Sequence, residues 1–255
     1  MGENYRQYVM LLTSLFLSLT FGFQVIIDPG HGGVDTGAAY YGANESEITL
    51  SVSRLLAKKL QDTRGINVSL SRTKDVSLDL SDRPKFAHKQ KGDFFVSIHT
   101  NSSPEKRATG LEIYIENILP ADQDSLFLAY RENQIHAGAA KPEGRPSQYR
   151  EKYSAEVSTI LDDIAKSHYL FSSIEAAQVL KSKWLEDRGG KARIRQAPFR
   201  VISTVNMPSI LVEIGFLSNR KEAEILKNPR EQEKIAETLY RSIIKYKESV
   251  DKRKI

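Results

Sequence analysis

The sequence predicts a single α/β domain, a mostly parallel, twisted sheet with helices on both faces. Three observations lead there. Short apolar runs, each closing on a polar or glycine-bearing turn, recur along the chain as buried strands do. Longer stretches between them return their apolar residues at helical spacing. With 255 residues, 40% of them hydrophobic, the chain makes one good-sized core rather than two. Strand, helix, strand, repeated, is the pattern of parallel strands joined by crossover helices.

Taken in order, residues 1–22 read as an export signal. Asn4, Arg6 and Gln7 lie in a polar start, and Tyr8 to Phe23 (YVMLLTSLFLSLTFGF) is mostly apolar but shorter than the ~20 residues of a spanning helix. Thr20 and Gly22 supply small residues for cleavage before Phe23. Processing removes one acid, Glu3, and one base, Arg6, so the net charge stays at +5. The mature chain is expected to have no stable membrane span and to reside in the periplasm or cell envelope.

Phe23 to Asp28 (FQVIID) reads as a buried strand closed by Pro29-Gly30. Glu45 to Asp62 is a helix, with Ile48, Val52, Leu55, Leu56 and Leu60 on one face. Ile66, Val68 and Leu70 alternate with polar residues and predict a strand, as do Leu111, Ile113 and Ile115. Phe94 to Ile98 (FFVSI) and Ser209 to Glu213 (SILVE) are further buried strands. Ile174, Ala177, Leu180 and Trp184 mark one helix; Ile235, Leu239, Ile243 and Tyr246 mark the last. Residues 116–167 break the rhythm, being polar and proline-punctuated, with Asp124 to His136 able to form a helix. Most connections are only ~4 to 6 residues, so a stretch this long points to function or mobility.

Composition narrows the chemistry. The 37 basic and 32 acidic residues interleave without the Lys/Arg block that tracks phosphates, so nucleic acid is not an expected partner. With no cysteine, any metal must be held by His, Asp or Glu. Of five histidines, His88, His136 and His168 sit in polar or helical contexts that suit structural roles. His31 and His99 instead follow buried strands, and Glu213 ends a third. In parallel α/β sheets the reacting groups collect beyond the carboxyl ends of the strands, so these three converge. Two imidazoles and one carboxylate are the ligands of a catalytic zinc whose fourth position is open to water. Either Glu45, opening a helix behind a glycine-bearing loop, or Glu213 could complete the set. The other would be free to move protons.

Four blocks resemble the zinc-dependent N-acetylmuramoyl-L-alanine amidases, which cut stem peptides from the peptidoglycan glycan. They are VIIDPGHGGVDTGA, ESEITL, GDFFVSIHTNSS and MPSILVEIGFLSN, and they occur in the family's order. With the stretch from Ser71 to Arg83 the likeness spans about residues 23 to 247. It implies a catalytic domain over 23–250 and one Zn2+ per chain held by His31, Glu45 and His99. It also makes Glu213 the catalytic glutamate for hydrolysis of the amide between N-acetylmuramic acid and L-alanine. Arg72 and Arg83 match family positions that are structural or substrate-facing. Asn101 and Asn219 could bind substrate or simply cap turns. The 116–167 stretch resembles the regulatory insertion of the cell-division subgroup, in which a helix covers the zinc until an activator protein moves it. Glu132, in LAYREN, is then the residue able to reach the metal. The competing expectations are a zinc deacetylase acting on another amide and a wall-binding module without turnover. The latter would be marked by a lost ligand or a lost Glu213, and all four residues are present.

Overall fold

A computed structural model describes residues 22–116, 121–134 and 145–253. The export segment expected over 1–22 lies outside these apart from Gly22, as does His136. No described helix is long and apolar enough to cross a membrane.

Mostly apolar segments, with the arginine-bearing β7 at one edge, build a six-stranded sheet from β1 (Phe23–Pro29), β4 (Ile66–Leu70), β5 (Phe94–Asn101), β6 (Leu111–Ile115), β7 (Ala192–Gln196) and β8 (Ser209–Phe216). Their order across the sheet is β4-β1-β5-β8-β6-β7. All neighbours run parallel except β6 and β8, so the sheet is mixed but mostly parallel. β2 (Ala39–Tyr40) and β3 (Ala43–Asn44) form a small separate hairpin ahead of the first helix.

Helices cover both faces. On one lie α1 (Glu45–Gln61), α4 (Ala155–Arg188), α6 (Arg220–Lys227) and α7 (Pro229–Arg253). Leu56, Leu60, Ala177, Leu180, Trp184, Ile235 and Ile243 from these helices pack against Val25, Ile27, Val96, Ile98, Ile113 and Val212. The other face carries α2 (Asp82–Lys89), α3 (Gln123–Gln134) and α5 (Arg200–Ser203). There Ala87, Leu128, Ala129, Val201 and Ile202 meet Ile26, Phe95, Tyr114 and Leu211. Burial on each side follows the two-residue alternation of the strands. α1 places Glu45 and Glu47 in its first turn and Lys58 and Lys59 in its last, the arrangement its dipole favours.

The sequence expectation did not include α2, α5, α6 or the β2-β3 hairpin, and β5 runs on to Asn101, so His99 lies within that strand near its end rather than after it. Three more elements differ. β7 (ARIRQ) is an edge strand whose arginines hide its period, a common disguise of edges. α4 begins at Ala155, so the last part of the presumed irregular stretch is its opening turns. Val157, Ile160 and Ile164 there are exposed and do not continue the buried stripe of Leu170, Ala177, Leu180 and Trp184. β8 runs three residues past Glu213, which therefore sits within the strand rather than at its end.

Candidate active site

The site grows from the ends of β1 and β5, the start of α1 and the middle of β8, on the face covered by α2 and α3. After β1 the chain turns sharply, and His31 takes a left-handed backbone conformation, with φ of 59°. Such a conformation is costly for a non-glycine residue and marks an over-determined site. The turn is held from below. Arg83 donates from Nη1 to Asp28 Oδ1 and Pro29 O, both at 2.8 Å, and from Nη2 to His31 O at 3.0 Å. Arg72 donates from Nη2 to Gly30 O at 2.7 Å and Ser46 O at 2.9 Å, and from Nε to Pro29 O at 3.0 Å. Both arginines are buried and spend most of their donors on backbone carbonyls, so they fix the loop that carries His31.

Asp28 is the anion of this brace. Burial works against its charge, but Arg83 and the hydroxyls of Ser71 and Ser97 outweigh it and hold the carboxyl below the usual range. Asp28→Asn leaves the Arg83 guanidinium buried without its counter-charge, and is expected to cost about 3 kcal/mol in urea unfolding at neutral pH. A folded-state pKa below the unfolded one means the contribution is complete above about pH 5 and lost as acid protonates Asp28. The deficit of the variant should therefore shrink as the pH falls; a deficit below about 0.5 kcal/mol at pH 7 would contradict the brace.

On this base three side chains converge. His31 Nδ1 lies 2.7 Å from Asp35 Oδ2, which leaves Nε2 facing inwards, 3.1 Å from Glu45 Oε1. His99 Nδ1 lies 3.1 Å from the same oxygen. Glu45 is oriented by the backbone N–H groups of Thr100 and Ala38, each donating at 2.9 Å. Glycines give the room. A Cβ on Gly30 would stand 2.5 Å from the His99 ring, and one on Gly37 2.7 Å from Glu45 Oε2. Burial opposes the charge on both Glu45 and His31. Their mutual attraction and hydrogen bonds win, lowering the Glu45 pKa and raising that of His31 well above the ordinary histidine range.

One donor atom from each of His31, Glu45 and His99 lies within 4.8 Å of the others. Buried His31 Nε2 makes no hydrogen bond. Bonds of ~2.0–2.2 Å in tetrahedral geometry separate zinc ligands by about 3.3 Å, close to the 3.1 Å contacts here, and the Asp35 bond to the far ring nitrogen is the usual outer support of a ligating histidine. The three residues could hold a zinc ion.

Glu213 is the Cα partner of His99 across β5 and β8, and of Glu112 across β8 and β6. It is 1% exposed, and its Oε2 has no hydrogen-bond partner. Burial first, then the Glu45, Glu132 and Glu112 carboxylates, push its pKa well above the ordinary range. Glu132 reaches in from α3, its Oε2 3.3 Å from His31 Nε2 and 3.7 Å from His99 Nδ1. Burial raises its pKa too.

The remaining candidates are placed elsewhere. Asn101 donates to Glu112 Oε2 at 3.0 Å, beside the site. Asn219 caps α6, accepting from Lys221 N at 3.0 Å and Glu222 N at 3.3 Å. His88 Nε2 accepts from Asn206 N, and His168 lies on α4 against Tyr169. Sequence reasoning missed Asp28, Asp35 and Glu112. Asp35 carried a signal, standing four residues after His31 in HGGVD.

The family model described as N-acetylmuramoyl-L-alanine amidase matches residues 25–245. The amidase AmiA of Salmonella typhimurium is 29% identical over 227 residues, covering 87% of this chain and 75% of that protein. AmiC of Neisseria meningitidis serogroup B is 30% identical, with 87% of this chain spanning 52% of the longer relative. Among solved structures, the N-acetylmuramoyl-L-alanine amidase of Clostridium difficile 630 superposes with a TM-score of 0.67 at 27% identity, over 90% of this chain and 98% of that one. On a match that runs from β1 into α7, this chain belongs to the N-acetylmuramoyl-L-alanine amidase family.

Proposed function

We propose that the chain is a zinc-dependent peptidoglycan amidase that hydrolyses the bond between the lactyl group of N-acetylmuramic acid and L-alanine. The observation that carries this is the convergence of His31, Glu45 and His99 at ligand spacing, with an unpartnered Glu213 oxygen on the next strand. Zinc, when bound, supplies Lewis-acid polarisation of the amide carbonyl and a water acidified to a pKa of about 7. The chain does the rest. Asp35 sets the His31 ring, the Thr100 and Ala38 amides set Glu45, and Glu213 takes the proton of the attacking water and delivers it to the departing nitrogen. Such an enzyme meets its substrate outside the cytoplasmic membrane, in cell-wall remodelling or daughter-cell separation. Digestion of purified peptidoglycan decides between the readings. Stem peptides with an L-alanine amino terminus support the amidase, released acetate points to a deacetylase, and wall that is bound but left uncut even by the Glu132→Gln variant points to a binding module.

We infer that α3 covers this site and holds the enzyme back. Glu132 Oε2 stands at the distance from His31 and His99 that a fourth ligand would keep, so this carboxylate would fill the position that water needs. The helix is tied down by Arg131 to Ser102 Oγ at 2.9 Å and by Asn133 to Pro198 O at 2.8 Å. An activator protein would act by lifting it. Glu132→Gln removes a charge-assisted contact, and its basal rate is expected to rise roughly tenfold, the effect of about 1.4 kcal/mol. Deletion of residues 120–150 should act the same way. A folded variant with an unchanged rate would remove the inhibitory role.

A further inference from the structure

Helix α3 touches the sheet at a second charged point, three turns before Glu132. Asp122, just ahead of the helix, accepts from Arg195 Nη1 at 2.9 Å. Arg195 stands on β7 and donates from Nε to Glu112 Oε1 at 2.8 Å. Arg193, two residues earlier on the same face of β7, holds Nη1 3.7 Å from that oxygen with its side chain 55% exposed. Glu112 also accepts from Asn101 Nδ2 and, at 2.9 Å, from the Tyr114 hydroxyl, which burial and Glu112 keep protonated. Two arginines therefore meet one buried carboxylate, and the bonds of Asn101 and Tyr114 orient it. The site has one positive charge more than Glu112 can neutralise, and in this form an aspartate side chain faces it. Around it runs a groove lined by Asn101, Ser103, Glu112, Phe127, Arg193 and Arg195, among others.

The location fits a peptide leaving the scissile bond. Glu213, Glu112 and Arg193 are successive Cα partners across β8, β6 and β7. Neighbouring strands lie about 4.8 Å apart, which puts the Arg193 backbone roughly 10 Å from that of Glu213. An extended peptide advances at most ~3.6 Å per residue, so the second and third residues of a stem peptide cut at Glu213 reach this groove. Stem peptides are anionic there. Their second residue is a γ-linked glutamate with an α-carboxylate, and the third, when it is diaminopimelate, carries another.

We propose that Arg195, with Arg193 beside it, is a seat for a carboxylate of the second or third stem-peptide residue, and that Asp122 fills this seat while α3 lies over the site. The inference rests on the amidase reading for its substrate. It makes α3 a two-point mimic, with Glu132 at the metal position and Asp122 at the carboxylate position, so that substrate and helix compete for both. Asp122 also caps α3, its Oδ1 accepting from Ser125 N at 2.9 Å. Asparagine caps as well as aspartate, so Asp122→Asn removes the charge facing Arg195 and leaves the cap intact.

The test is calorimetric binding, which needs no turnover. The probes are synthetic L-Ala-γ-D-Glu-meso-diaminopimelate and two analogues, one with the second-residue α-carboxylate amidated and one with the third-residue carboxylates amidated. The full chain is compared as wild type, Asp122→Asn, Arg195→Gln and Arg195→Lys, with melting curves for each. Asp122→Asn should bind the tripeptide at least about threefold more tightly than wild type, and should lose about fivefold on amidation of whichever residue is seated. The residue sensitive to amidation identifies the carboxylate. Arg195→Gln should bind all three peptides alike, and Arg195→Lys should keep part of the preference. An Asp122→Asn protein that binds no tighter, or a carboxylate preference that survives in Arg195→Gln, overturns the proposal. Should Arg195→Gln fail to fold, wild type, Asp122→Asn and Arg195→Lys still decide. Binding through Arg195 by a chain that cuts no peptidoglycan even as Glu132→Gln would sustain the seat and sink the amidase reading.

Discussion

Glu213→Gln is expected to keep about one zinc per chain and to lower kcat on peptidoglycan roughly 10³-fold, within the range lost when a positioned general acid–base is removed. The side chain lies within β8, and its neighbours Val212 and Ile214 turn to the opposite, apolar face. A carboxyl group in that setting is fixed in place, beside His99 but outside the set of three donor atoms within 4.8 Å. Glutamine keeps the volume and the rotamer but cannot take a proton from water. KM should change little, because the loss falls on a step made only in the transition state. Stability separates this role from a structural one. Glu213 is buried with an oxygen lacking any hydrogen-bond partner, a state that costs free energy, so the metal-free variant should melt no lower than wild type and is expected to melt higher. Full turnover in Glu213→Gln would end the mechanism, and lost zinc would move Glu213 into the ligand set.

The parts of the site that could be read from sequence were those tied to the fold's own logic. His31 and His99 follow apolar runs of unmistakable strand character, and a parallel sheet sends the ends of such strands to one crevice. Glu45 and Glu213 could not be assigned that way, because both lie near the crevice. The structure distinguishes them by contact: Glu45 touches both imidazoles, and Glu213 touches neither within hydrogen-bond range. Asp28 and Glu112 escaped notice because their partners are far along the chain. Arg83 is 55 residues from Asp28, and Arg195 is 83 residues from Glu112. No local period announces such a pair. β7 was hidden for a related reason, since its alternating arginines serve the site rather than the core. The apolar stretches of β1, β4 and α1, which face the core, followed their periods closely.

His99→Ala tests the metal itself. Structural zinc sites with four ligands bind with ~10–16 kcal/mol, about 2.5–4 kcal/mol for each ligand, so removing one of three should weaken zinc binding on the order of 10²- to 10³-fold and abolish activity. Asp35→Ala removes the support behind His31, together with the acceptor of the Gly37 amide, and is expected to lower zinc affinity about 10- to 100-fold. That gradation is informative, because two explanations of the buried cluster are otherwise hard to separate. If His31, Glu45 and His99 were only a hydrogen-bonded core network, truncating His99 would leave a cavity beside Gly30 and lower the melting temperature whether or not zinc is present. A metal site behaves differently. Zinc at 100 times its Kd raises the stability of wild type by about 2.7 kcal/mol, a chelator removes that increment, and His99→Ala shows neither response at the same zinc concentration. A wild-type melting temperature indifferent to both zinc and chelator would leave Glu45 as an anion shared between two histidines, and the amidase without its metal.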